Sequence, residues 1–328
     1  MNVTFIIGNG FDLNLGLETS YKDFYTWLEG IPSDNILQQY IQNNYEYWSD
    51  LEEGIGQITE EISPENFAAF MEHKEDLEML LSAYLLEQQN SFSFPRTAEF
   101  AEEFIEHIVN FQEKILEGRN SNFRDALTNT SENHFSFITL NYTTVLDEII
   151  AFVNDYLNKQ QRPSPFSPTV YHMHGHIDNI YLGVANSSQI ANAYLRDRGK
   201  YLIKPFLIER FNNEVYNKIK TLIQTSDYIC IYGSSFGATD QTWWSLIIRW
   251  LEKDKRRRLI LYIHEDFPVT CSVQRRARFW DGHSDFFVKR SNEFVEQNVL
   301  EQIVIVPKNS IFDFDNLQCE EPKGKEPV

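Results

Sequence analysis

Cysteine is scarce in this chain. Cys230, Cys271 and Cys319 are its three cysteines, far apart and with no CxxC pair, so neither a disulfide framework nor a four-thiolate zinc site can be built within it. That usage fits a reducing, cytoplasmic setting. Positive charge is also short: 29 Lys and Arg stand against 48 Asp and Glu, a formal net charge of −19. This disfavours direct binding to duplex nucleic acid, which depends on cations displacing counterions from phosphates. The one basic run, Lys253 to Arg258, reads as a solvated helix C-terminus whose cations meet the negative end of the dipole, with an anion or partner contact as the alternative. Long apolar runs are missing as well. Nothing approaches the ~18 residues of a membrane span, and no basic segment leads into an apolar stretch at the N-terminus, so a soluble chain without membrane contact is expected.

What is present is a globular composition, 42% hydrophobic and 14% aromatic over 328 residues, enough for two domains or one domain with a large insertion. Val3 to Ile7 is an apolar, β-rich run ended by Gly8, and it predicts a buried strand because neither face is reserved for polar residues. Phe135 to Leu140, Tyr228 to Tyr232 and Leu259 to Ile263 are comparable. Strands separated by long helical stretches predict an α/β fold, a Rossmann-like parallel sheet flanked by helices, with its loops gathered at the strand C-terminal ends. Residues 21–133 are poor in glycine and carry apolar positions such as Leu77, Leu81, Tyr84, Phe100, Phe104 and Ile108 at helical spacing, which predicts a helical insertion after the first strand. Residues 1–20 and 134–306 then form the core. Asn158 to Pro168 reads as a loop on its three prolines, and 307–328 as a frayed polar tail. No internal repeats are visible.

The turns carry the chemistry. GNGFDLNLG, with Gly8, Gly10 and Gly16, follows a strand and precedes a helix, a setting in which backbone N–H groups approach a phosphate and the helix dipole favours the negative charge. A branched side chain at Gly10 is expected to fill the space of that phosphate while leaving the fold intact. Other strands close on Thr139-Leu140-Asn141 and Gly233-Ser234-Ser235, and Tyr171-His172-Met173-His174-Gly175-His176 follows a loop. In an open parallel sheet, ligands bind beyond the strand C-terminal ends, so these turns are expected to converge.

In that order the motifs resemble the sirtuin-like nucleotide-binding fold. The resemblance implies a glycine loop (Gly8, Asn9, Gly10, Phe11, Gly16) over the pyrophosphate of NAD and Thr139 and Asn141 beside the nicotinamide ribose. It further implies a catalytic base at His174, ribose and phosphate contacts at Gly233, Ser234 and Ser235, and an adenosine-ribose contact near His264 and Glu265. The fuller set, GNGFDLNLGLETSYKDF, WSDLE, LNYTTVLD, HMHGHID and YGSSFGATD, is similar to the AbiH family of bacteriophage abortive-infection proteins. Asp12 stands where sirtuins carry Ser, and the zinc-binding cysteines are missing, so the resemblance implies opening of NAD rather than protein deacylation.

Asn141 supplies an amide for a ribose hydroxyl or an attacking water, and His174 a base for cellular pH. Asp12 is placed to touch the nicotinamide or the developing cation. Trp48, Asp50 and Glu52 lie near a helix start, where an acidic residue is ordinarily a dipole-favoured surface group and Trp48 core. Under the resemblance, Glu52 is a lid carboxylate and catalytic. His172, His174 and His176 at alternate positions also admit a metal, but no metal is expected, and Trp243, Trp244 and Trp250 read as helix core. The expectation is an antiphage effector that binds NAD and hydrolyses it, alone, as a homo-oligomer or with a defence-system partner protein. The alternatives are a non-catalytic nucleotide sensor or toxin subunit, and a metal-dependent nuclease.

Overall fold

The computed structural model describes residues 1–32, 34–43, 50–115, 133–265, 272–307, 311, 312 and 314. Trp48, Cys271 and Cys319 lie outside them. A six-stranded sheet forms the centre, built from β1 (Asn2–Ile7), β2 (His134–Thr139), β3 (Phe166–His172), β6 (Tyr228–Tyr232), β7 (Arg258–Tyr262) and β8 (Ile303–Val306) in the order β3-β2-β1-β6-β7-β8. Every pairing in it is parallel. The short strands β4 (Gly175–His176) and β5 (Asn179–Ile180) pair apart from it as an antiparallel hairpin. The chain steps outward from β1 to β3 and then returns to lay β6 on the other side of β1. The switch point of this doubly wound, Rossmann-like sheet therefore falls between β1 and β6.

Alternation along the strands sorts two cores. Phe5, Phe137, Cys230 and Tyr232 face the helices Ala98–Val109 and Val145–Lys159. Ile6, Ile138, Ile229 and Ile231 face Asn213–Thr225, Gln241–Glu252 and Val273–Ser291. Trp243, Trp244 and Trp250 are buried in that second core, as their crowded helical spacing predicts. Arg257, from the basic run, donates to the carbonyls of Trp250 (2.7 Å) and Gln224 (3.0 Å), so it closes helix ends rather than facing a partner.

A helical lobe stands beside the sheet. Its helices Tyr21–Leu28, Ile36–Asn43, Leu51–Ile58 and Phe67–Ser91 share a core with Ile177, Leu182, Val184, Leu195 and Leu202. The lobe is thus completed by the segment after β3, whereas Ala98–Val109, grouped with the insertion by sequence, packs on the sheet.

Two strands differ from the sequence expectation. β3 runs through Pro168 because it is the sheet edge, where a missing N–H costs no ladder bond, and β8 is four residues long, too short to show a period. The frayed reading of the tail fails at Ile311 and Phe312. Both are fully buried, and Phe312 meets Phe11 and Tyr232 edge-on, with centroids 5.1 and 4.9 Å apart. Among the described residues, no helix is long and apolar enough to cross a membrane.

The glycines at the switch point are there for one another. Gly8 N–H donates to Tyr232 O and Gly10 N–H to Gly233 O, both at 2.8 Å. A Cβ on Gly8 would lie 2.6 Å from Gly233 O, and one on Gly10 2.6 Å from Gly233 Cα. Gly233 itself adopts φ +68°. The expectation that a branched side chain at Gly10 spares the fold is therefore corrected: the space beside it is occupied by backbone. Gly233→Ala combines left-handed strain with a contact of 2.8 Å to Phe11 N and should lower the unfolding free energy by at least ~2 kcal/mol. Urea denaturation measures this, and an unchanged midpoint contradicts it.

Candidate functional site

Each polar turn lies beyond the C-terminal end of a parallel strand. Gly8 to Asp12 follow β1, Asn141 follows β2, His174 follows β3, Gly233 to Ser235 follow β6, and His264 and Glu265 follow β7. Two buried polar groups form there.

The first surrounds Asp12, which is 1% exposed. Its Oδ2 accepts from Thr143 Oγ1 at 2.5 Å. Thr139 Oγ1 donates to Ile7 O and accepts from Asn141 N–H (3.0 Å), tying the end of β2 to that of β1 and setting the Asn141 backbone. His172 clamps the same turn, with Nδ1 3.0 Å from Asn141 O and Nε2 3.0 Å from Asp147 Oδ2. Both Asn141 side-chain polar atoms and Asp12 Oδ1 are buried without a hydrogen bond among the described residues. Burial pushes the Asp12 carboxyl up to about 6, against the opposing pull of Thr143, the nearby Asn141 amide and His172. Desolvation wins because the carboxyl is almost wholly buried.

The second group joins the lobe to the sheet. Asp50 caps the helix Leu51–Ile58, accepting from Glu52 N–H at 3.0 Å, as an acidic residue at a helix start should. Glu52 points inward. Its Oε2 accepts from Lys204 Nζ (2.5 Å) and Thr239 Oγ1 (2.9 Å), and its Oε1 from Gly183 N–H (3.4 Å). Lys204 Nζ also reaches Asp240 Oδ1 at 2.8 Å, and His174 Nε2 lies 2.8 Å from that same oxygen without hydrogen-bond alignment. Burial opposes ionisation of Asp240, but Lys204 and His174 outweigh it and hold the carboxyl well below the usual range. Burial raises Glu52 in spite of Lys204. The Tyr142 ring stands beside His174, centroids 6.3 Å apart, between the two groups.

Asp12 and Asn141 thus lie in the first group and His174 and Glu52 in the second, with Glu52 engaged on both oxygens. Several expected cofactor contacts have internal work instead. Asn9 exchanges hydrogen bonds with Thr19 (3.0 and 2.7 Å), Phe11 is core, and Gly16, at φ +87°, turns the chain at the end of the short helix Gly10–Asn14. The N–H groups of Gly8, Gly10 and Phe11 donate to backbone carbonyls. Ser234 Oγ accepts from Phe236 N–H (3.1 Å), while Ser235, His264 and Glu265 are exposed. The three alternate histidines turn to different carboxylates, His172 to Asp147, His174 to Asp240 and His176 to Asp178, with the His172 and His176 rings still neighbours, centroids 6.0 Å apart. Among the described residues, no group of three or more His, Cys, Asp or Glu is arranged to hold a metal ion.

Lys204, Asp240, Thr143 and Asp147 were not singled out by sequence. For Lys204 the available signal was a lone lysine between apolar neighbours and before Pro205.

Fold and site define a doubly wound α/β protein with a buried acid–base centre at the carboxyl edge of its sheet, where such sheets take ligands. A family model described as "Bacteriophage abortive infection AbiH" matches residues 4–262. The chain belongs to the AbiH family, whose role is abortive infection of phage. No curated protein matches it.

Asp12 gives a pH test. Its folded carboxyl holds a proton up to about 6, whereas an unfolded one ionises near 3.8. The protein therefore loses stability relative to the unfolded chain as pH rises across that window, and the loss is complete above it. Asp12→Asn should stabilise the protein by roughly 2–3 kcal/mol at pH 7.5, an advantage that shrinks between pH 6 and 4. Paired denaturation curves at both ends measure it; a pH-independent difference contradicts the assignment.

Proposed function

We propose that this protein is an NAD-consuming effector of abortive infection, which hydrolyses the cofactor and so halts the infected cell. The observation that carries the reading is the set of buried polar atoms at the strand ends, Asp12 Oδ1 and both Asn141 side-chain atoms, that have no hydrogen bond among the described residues. Burying such groups unpaired typically costs about 1–3 kcal/mol each. A ligand rich in hydroxyls at the switch point satisfies them. The fit is to a ribose. The N–H groups of Gly8, Gly10 and Phe11 are already used, so the glycine turn shapes the floor of the site and the phosphates fall to groups at its rim such as Ser235.

Hydrolysis adds water across the nicotinamide–ribose bond and yields ADP-ribose, nicotinamide and a proton. In this reading Asn141 holds a ribose hydroxyl or the water, and His174 takes the water's proton. The buried carboxylates supply the negative field that the ribose carbon needs as the bond breaks. Glu52 contributes to that field from within its ion pairs. The nuclease alternative draws no support from histidines that turn to three different carboxylates.

Asn141→Ala and His174→Ala should each lower NAD hydrolysis by about 10²- to 10⁴-fold while keeping an NAD-induced rise in melting temperature. Full turnover in both variants would sink the assignment. A parent that is stabilised by NAD yet releases no nicotinamide, even with phage lysate, is a sensor instead.

A further inference from the structure

Lys204 does not match any motif, yet it joins carboxylates of the two lobes. It is 1% exposed, and its ammonium touches Glu52 Oε2 at 2.5 Å and Asp240 Oδ1 at 2.8 Å. Glu52 belongs to the helical lobe, and Asp240 to the turn after β6. His174 Nε2 meets the same Asp240 oxygen at 2.8 Å. The lysine's own backbone is pinned by Lys204 N–H to Val184 O at 2.9 Å. The helix bearing Glu52 is held equally closely, since a Cβ on Gly56 would lie 2.6 Å from Gln189 O.

We propose that Lys204 is a positioning residue: it locks the helical lobe onto the sheet and, through Asp240, fixes the His174 imidazole over the ligand site. The proposal rests on the reading of His174 as the group that acts on the ligand. Two carboxylates sharing a dry site repel one another, and one of them protonates or turns away unless a cation lies between them. A lysine suits that place because its ammonium is a compact point charge whose separate N–H bonds can serve two acceptors at once. With Asp240 Oδ1 held on one side by Lys204, the other side offers His174 a fixed anionic contact. Swinging the lobe away would break the Glu52 contact and release Asp240 together with the imidazole.

The test separates positioning from bulk stability. Lys204→Met alone leaves two uncompensated carboxylates and should melt far below the parent. Glu52→Gln/Lys204→Met removes one charge of each sign and should recover most of the lost melting temperature. Because Glu52 contributes to the field at the site, the double variant is read against Glu52→Gln alone, which leaves Lys204 on Asp240. If Lys204 only glues the lobes, the two variants protect cells against phage equally, and the proposal is overturned. If Lys204 positions His174, the double variant stays folded and protects less than Glu52→Gln, and its kcat for NAD falls about 10²-fold below that of Glu52→Gln with KM within about threefold.

Asp240→Asn, which keeps the shape and leaves a balanced Glu52–Lys204 pair, provides the same reading should the double variant not fold. A kcat-selective loss and lost protection support the proposal; parental values of both overturn it. A parent that protects but never releases nicotinamide refutes the NAD reading, and Lys204 is then judged on protection alone.

Discussion

Two backbone turns meeting without side chains between them set the geometry of this molecule. Gly8 and Gly10 lie against Gly233, joined by the bonds Gly8 N–H to Tyr232 O and Gly10 N–H to Gly233 O. That contact lets β1 and β6 run side by side to their very ends, with Phe5 opposite Cys230 and Ile7 opposite Tyr232. From this seam the chain departs in opposite directions. The first turn also carries Asp12 into the site and Phe11 into the core, where Phe312 closes over it. Glycine here serves close packing of backbone on backbone.

The site differentiates its carboxyl groups by surroundings rather than by residue type. Asp12, enclosed and with one oxygen unpaired, favours its protonated form up to about 6. Asp240, equally enclosed, is held ionised by Lys204 and His174. The two carboxyls therefore titrate apart: Asp240 stays ionised well into acid, whereas Asp12 gives up its proton only as pH passes about 6. The cost of burying the second group is offset by close ionic geometry, Lys204 lying within 3 Å of both Glu52 and Asp240, and Thr239 within 3 Å of Glu52.

Much of this was legible in the sequence, and the limits have physical causes. The strands that read clearly are those buried on both faces, such as Val3 to Ile7 and Tyr228 to Tyr232, because continuous apolar runs need no periodicity to be seen. β3 was hidden because an edge strand tolerates Pro168, and its polar Ser167 and Thr169 carry no core signal. Asp12 and Asn141 were visible because each follows a recognisable strand end, and His174 because its histidine-rich motif stood out although its strand did not. Lys204 and Asp240 were not, since their chemistry exists only in pairs 152 and 36 positions apart, Glu52 with Lys204 and Lys204 with Asp240. A sequence shows a charged residue amid apolar ones, but the partner that makes it tolerable is supplied by the fold. The crowding of the glycines predicted close approach, and the approach seen is of one backbone turn on another, Gly8 and Gly10 on Gly233.

The central claim is that abortive infection by this protein proceeds by consumption of NAD at the strand-end site. Intracellular NAD, followed through a phage infection by mass spectrometry, tests it most directly. The account predicts that NAD falls before lysis in cells carrying the parent, with ADP-ribose and nicotinamide rising in step. NAD that holds constant while the cells remain protected would contradict it.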